Sequence, residues 1–221
     1  MSNHINKSEL PTPFVPAADA TDGLLRISDL NNPINVEITI WEGMRPGYYM
    51  QLMLNKELIG PTWTMAEANT PGDVISISLD PEHLLNEGIY SLGMRATNDK
   101  SLVSNDSATT PLIVDRTSPG AALLAPAMLA NVSFGEFLNA KIPSYAGMEI
   151  GDLIQTVCNG TLGPIHRVLP ENLTTTPVEI SFTQEFLEGL FSDRVNITYH
   201  VTDRAGNRSI LAQSVELTLQ R

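Results

Sequence analysis

The chain has 221 residues, and Lys+Arg 13 against Asp+Glu 25 leaves a formal net charge of −12. A chain this acidic, with no Lys/Arg cluster, is repelled by phosphate backbones, which argues against nucleic acid as a partner. A single cysteine excludes an internal disulfide framework or a multi-Cys metal site, and no apolar run approaches the roughly 18 residues of a membrane span.

Residues 1–22 open on Met1-Ser2-Asn3-His4-Ile5-Asn6-Lys7 and continue through Pro11, Pro13 and Pro16. This polar, Pro-rich start has no apolar signal core, so Sec export is not expected. It reads as an extended arm with too little apolar content to pack as a core element, able to reach a partner sheet or a second copy.

From residue 23 the apolar period is close to two. Val36, Ile38 and Ile40 alternate with Glu37 and Thr39, and Ile75, Ile77 and Leu79 alternate with Ser76 and Ser78. Tyr90, Leu92, Met94 and Ala96 form a third run; Val178, Ile180 and Phe182, then Val195, Ile197, Tyr199 and Val201, continue the pattern. Alternation of this kind predicts half-buried strands. Asp80-Pro81-Glu82-His83-Leu84-Leu85 predicts one short helical turn, with Asp80 at the N-cap and Pro81 at the first helical position. Thr183-Gln184-Glu185-Phe186-Leu187 is its counterpart.

These runs belong to an internal repeat. Asn35-Val36-Glu37-Ile38 recurs as Asn139-Ala140-Lys141-Ile142, Gly43-Met44 as Gly147-Met148, Gly47 as Gly151, Gln51 as Gln155 and Asn55 as Asn159, all at an offset of 104. Gly60-Pro61 then recurs as Gly163-Pro164 after one deletion, while Trp41 falls on Tyr145 and Ile34 on Leu138. Such an offset predicts two homologous domains, each large enough for its own core. The junction falls at Val114-Asp115-Arg116-Thr117-Ser118-Pro119-Gly120, where a β-branched run meets a Pro-Gly turn signal. The organisation expected is an arm over 1–22 and domains over 23–115 and 116–221. About seven short strands per domain make the fold all-β, two tandem immunoglobulin-like β-sandwiches.

Val201-Thr202-Asp203-Arg204-Ala205-Gly206-Asn207-Arg208-Ser209 resembles the closing hairpin of bacterial Ig-like repeats found in tandem in large surface adhesins, and Val114-Asp115-Arg116-Thr117-Ser118-Pro119 resembles their inter-repeat junction. The turns Gly43-Met44-x-x-Gly47-Tyr48 and Gly147-Met148-x-x-Gly151-Asp152 look like those of pseudomonad-type repeats. In the hairpin, Asp203 is expected to accept N–H bonds two residues on, Gly206 to take positive φ, and Asn207 to enter the left-handed region. Copy one has Ala96-Thr97-Asn98-Asp99-Lys100-Ser101 there and departs from the pattern. The resemblance implies a non-enzymatic display or adhesion module and an extracellular or cell-surface setting.

Candidate chemistry is sparse. Cys158 maps onto Leu54, an inward strand position, so it reads as a buried small hydrophobe and not a nucleophile. His4, His83, His166 and His200 lack metal-pair spacing, and His166 aligns with Trp63, which suits packing. No nucleophile elbow, phosphate loop or zinc-protease motif occurs, so no enzyme activity and no cofactor are expected. Asp99, Asp106, Asp115 and Asp203 lie in loops or at the junction and would suit Ca²⁺, although solvated loops explain the same residues and no calcium-loop motif is present. Tyr48, Tyr49, Trp41 and Trp63 offer an aromatic patch for a glycan or protein, with Trp41 aligned to Tyr145 and therefore read as core. The partner-binding candidates are Tyr48, Tyr49 and Trp63. Of the formal glycosylation acceptors Asn131, Asn159, Asn172 and Asn196, Asn159-Gly160 is better read as a type I′ turn matching Asn55-Lys56. Residues 20–115 carry 13 acidic and 5 basic side chains against 10 and 7 in residues 116–221, an asymmetry that favours a basic partner for the first domain, although a merely solvated surface is the commoner explanation of such charge. The expected function is adhesion or protein/glycan binding at a cell surface or injection apparatus, with self-association through the arm or edge strands; the alternative is a structural spacer or virion or tail decoration subunit.

Overall fold

The computed structural model describes residues 10–129, 137–174 and 176–219. The chain divides between Arg116 and Thr117 into two compact units. The first contains β1 (Ile34–Thr39), β2 (Tyr49–Leu54), β3 (Glu57–Thr64), β4 (Val74–Leu79), β5 (Gly88–Thr97), β6 (Ser104–Asp106) and β7 (Thr110–Val114). The second contains β8 (Met128–Leu129), β9 (Phe137–Ile142), β10 (Leu153–Cys158), β11 (Thr161–Arg167), β12 (Val178–Thr183), α1 (Gln184–Glu188), β13 (Arg194–Thr202) and β14 (Val215–Thr218).

Each unit is an antiparallel sandwich. In the first, β1 pairs with β4, while β3, β2 and β5 run in order and β5 takes both β6 and β7 on its far side. The second repeats this as β12-β9-β8 and β11-β10-β13-β14. Alternation explains the layering, since β4 buries Ile75, Ile77 and Leu79 and exposes Val74, Ser76 and Ser78. Each unit closes over its own core, around Val36, Leu52 and Leu92 in one and around Ile154, Phe182 and Tyr199 in the other.

The repeated residues prove to be those that shape one bulged hairpin. Asn55 and Lys56 both have positive φ (52° and 73°), as do Asn159 and Gly160 (48° and 82°), the requirement of a tight type I′ connection. Each Asn side chain also extends the ladder: Asn55 Oδ1 accepts from Ser91 N and Asn159 Oδ1 accepts from Asn196 N, both at 2.9 Å. Beyond the turn the β2–β3 register shifts between Met50 and Leu52, and the β10–β11 register between Gln155 and Val157. Gly60-Pro61 and Gly163-Pro164 sit in these bulges, where a residue without an N–H is tolerated. Gln51 Nε2 donates to Gly60 O at 2.8 Å and Gln155 Nε2 to Gly163 O at 2.7 Å, which satisfies a carbonyl the bulge has taken out of the ladder.

The expected free arm is corrected for residues 10–22; residues 1–9 lie outside the described residues. Phe14 bridges Glu37, with Phe14 N to Glu37 O at 2.9 Å and Glu37 N to Phe14 O at 2.7 Å, and Val15 is only 2% exposed in the first core. The same pairing recurs as Met128 against Lys141, 104 residues after Glu37. Past a turn, Leu25 N donates to Ile113 O and Ile113 N to Gly23 O, so this opening strand leaves β1 and joins the edge of β7. The prolines hid a short bridging segment with one inward residue, Val15, and Pro is compatible with its edge position. The first domain therefore begins well before residue 23.

Three local expectations also change. The turn at Pro81–Leu84 is 3-10, and the Asp80 side chain makes no cap bond. Thr183 does cap α1, its hydroxyl accepting from Phe186 N at 3.2 Å. Asp203 Oδ1 accepts from Asn207 N, four residues on, at 2.8 Å; Gly206 takes φ 91°, whereas Asn207 stays out of the left-handed region and is 4% exposed. Copy one reaches a similar closure with Asn98 Oδ1 accepting from Lys100 N and Ser101 N and with Leu102 at φ 57°.

Candidate functional site

The loop preceding β2 and its copy preceding β10 have one backbone and different side chains. Met44 N donates to Trp41 O and Met148 N to Tyr145 O, at 3.0 and 3.2 Å. Gly47, at φ 94°, then donates to Met65 O, and Gly151, at φ 100°, to Val168 O. At the next position Tyr48 stands where the second domain has Asp152. The Tyr48 hydroxyl accepts from Asn98 Nδ2 of the loop after β5. Asp152 instead takes the Tyr145 hydroxyl at 2.7 Å and Glu149 N at 3.1 Å on Oδ2, while its Oδ1 is buried without a partner.

This environment sets the electrostatics of the second loop. Burial raises the Asp152 carboxyl above its ordinary value, against the hydrogen bonds from Tyr145 and Glu149 N, and the Asp203 and Glu149 carboxylates push it further up. Tyr145 is raised by burial and by the hydrogen bond and charge of Asp152. These residues brace the loop, because the phenol hydroxyl can only serve as the donor to a carboxylate beside it.

Tyr48, Tyr49 and Trp63 do not form one exposed platform. Tyr48 and Trp63 are half-buried against the first core, Trp63 standing opposite Met50 in the β2–β3 ladder. Tyr49 is one residue out of phase and lies on the opposite side of the sheet. A core role for Trp41, half-buried against the same cluster, agrees with its alignment to Tyr145.

Cys158, His166, His200 and Asp106 are held by packing or by a partner within their own domain. Cys158 is fully buried opposite Ile197, and burial pushes its thiol up to about 11. His166 Nε2 is 3.0 Å from Asn172 Oδ1. His200, 7% exposed, has its pKa lowered by burial and then by the Arg208 charge. Asp106 forms a two-bond ion pair with Arg95, at 2.6 and 2.9 Å. Among the described residues no group of three or more His, Cys, Asp or Glu side chains is placed to hold a metal ion. The Asn131 acceptor lies outside the described residues. Sequence reasoning missed Asp152, since its burial follows from the loop closing over Tyr145 and leaves no local signature.

No protein-family model matches the sequence, and no curated protein matches it significantly. Among solved structures the chain is similar to part of a 1.5-MDa bacterial ice-binding adhesin, with 15% identity and a TM-score of 0.50 over 97% of this chain and 65% of that one. It is also similar to fibronectin(III)-like modules of Clostridium thermocellum CbhA (17% identity, TM-score 0.46, 94% of each chain). The FN1-FN3 domains of chicken CNTN1 match at 11% identity and TM-score 0.49, over 96% of this chain and 68% of that one. At such identities the likeness concerns the fold, which is that of tandem fibronectin III/Ig-like sandwich modules.

Proposed function

We propose that the chain is a non-enzymatic binding module of the tandem Ig-like kind, engaging a protein or glycan at a cell surface or on an injection apparatus. The observation that carries this reading is a constant scaffold with divergent loop ends. The Gly, Gln, Asn and Gly-Pro positions that shape the backbone recur in both copies, while Tyr48 and Asn98 in one domain stand at the positions that Asp152 and Asp203 hold in the other. Repetition of this sort keeps a rigid support and lets the loops braced on it differ from one domain to the other. The adhesin likeness is compatible with the reading through the fold alone.

The test is saturable binding of the purified, fluorescently labelled chain to a glycan array and to intact bacterial and host cells, with heat-unfolded protein as control. Saturable binding by the folded chain alone is expected. Failure to bind any surface, glycan or protein would overturn the reading and leave the spacer or decoration role.

A further inference from the structure

Sandwich edges expose unpaired N–H and C=O groups, and proteins normally blunt them. Here β3 and β11 are interrupted by Gly60-Pro61 and Gly163-Pro164 in their bulges. β7 carries Pro111 and is lined by Gly23–Leu25. β12 carries Glu179, paired with Lys141 at 3.3 Å, and β14 carries Glu216, 3.8 Å from Arg194. β4 has none of these devices. Val74-Ile75-Ser76-Ile77-Ser78-Leu79 is six residues without charge, Pro, Gly or bulge, and it ends its sheet beside β1.

The register shows which backbone groups are free. Glu37 uses both its N–H and its C=O on Phe14, on the side of β1 away from β4. Glu37 and Ser76 are therefore a non-hydrogen-bonded pair, and by antiparallel alternation so are Thr39 with Val74 and Asn35 with Ser78. The N–H and C=O of Val74, Ser76 and Ser78 consequently point out along the open edge. Among the described residues these groups make no other backbone hydrogen bond. Their side chains are exposed, and two of them are small.

We infer that the β4 edge accepts an added strand from a protein partner whose extended segment is flanked by Lys or Arg. This deepens the binding-module reading and rests on it. Charge selects the occupant: between Lys56 and Arg95 the chain has no Lys or Arg but has Glu57, Glu67, Asp73, Asp80, Glu82 and Glu87. Asp73 and Asp80 stand immediately at the two ends of β4. A second copy is a poor occupant for the same reason. The antiparallel self-pairings that use most of the strand and keep apolar residues on one face centre on Ser76 or Ile77, and either register brings Asp73 of one copy within a residue of Asp80 of the other at both ends. A basic-flanked strand gains main-chain hydrogen bonds from the edge and attraction at its ends.

The probe is a labelled peptide alternating valine and threonine between paired lysines, titrated into the full chain by fluorescence anisotropy. Its glutamate-flanked analogue is the control. Saturable binding of the lysine peptide, weakened by salt, is expected. Ser76→Pro removes an edge N–H without touching the β1 ladder and places a ring where the strand would lie, so binding should fall about tenfold or more with little change in melting temperature. Ser76→Lys should do the same by repulsion, and it covers the case in which the proline variant fails to fold. Equal binding by the parent and either folded variant, or no preference for the lysine peptide, would overturn the inference. Dimerisation of the chain alone that Ser76→Pro abolishes would also overturn it, assigning the edge to a second copy. Variants that lose the peptide yet bind the array or cells like the parent would separate the edge from the module's surface ligand.

Discussion

The two type I′ turns form a natural experiment, because Lys56 in one copy and Gly160 in the other occupy equivalent left-handed positions. Holding an L-residue there costs about 1–2 kcal/mol, while glycine gives back roughly 0.5–1 kcal/mol through the freer unfolded chain. Lys56→Gly should therefore stabilise the first domain by about 0.5–1 kcal/mol, a rise of a few degrees at roughly 4–8 °C per kcal/mol for a domain of this size. The reverse change, Gly160→Ala, should destabilise the second domain by a similar amount. A Cβ built at Gly160 meets nothing within 4 Å, so only the backbone conformation is perturbed. The domains can be read separately in the intact chain. Both tryptophans, Trp41 and Trp63, lie in the first, and the one cysteine, Cys158, is buried in the second. Urea unfolding followed by tryptophan fluorescence should shift for Lys56→Gly and stay put for Gly160→Ala; thiol exposure should do the opposite. If Lys56→Gly leaves or lowers the fluorescence midpoint, the αL penalty is not what limits this turn.

Val15→Ala should cost about 2 kcal/mol in the tryptophan transition, as truncation of a buried core side chain does, whereas no change would restore the free-arm reading. Cys158 should resist thiol reagents in the native protein, and Cys158→Ala should cost about 1–2 kcal/mol by leaving a modest cavity; rapid native labelling would contradict its burial. Asp152, raised in the fold, contributes stability that is complete below the ordinary carboxylate value and is lost as pH rises through the raised folded value. Asp152→Asn should accordingly flatten the second domain's stability between the ordinary and the raised value and gain relative to the parent above the raised one. Denaturation midpoints by circular dichroism check this, and an unchanged pH profile would show that Asp152 does not titrate in that window.

Much of this architecture is written in local pattern. Period-two alternation places β1, β4, β12 and β13, because a half-buried strand must present one apolar face. The recurrence of Asn55 as Asn159, followed by Gly160, marks the type I′ turn before any coordinate is known, whereas the bulge at Gly60-Pro61 and Gly163-Pro164 shows only in the strand register. The inward position of Cys158 follows from the same alignment to Leu54.

What tertiary structure alone decided depends on partners distant in sequence. Phe14 and Val15 are too few to show a period, and they become a strand because Glu37 supplies the ladder and the first core takes Val15. Tyr48 and Asp152 share a backbone position, yet one meets Asn98 and the other Tyr145, so their roles diverge through contacts no spacing encodes. Tyr48, Tyr49 and Trp63 could be named as aromatics from sequence, but their faces were fixed by the β2–β3 register. The open edge of β4 is likewise a matter of which described residues pair with it: V-I-S-I-S-L specifies a strand, and only the pairing of Glu37 with Phe14 determines which of its N–H groups point outward.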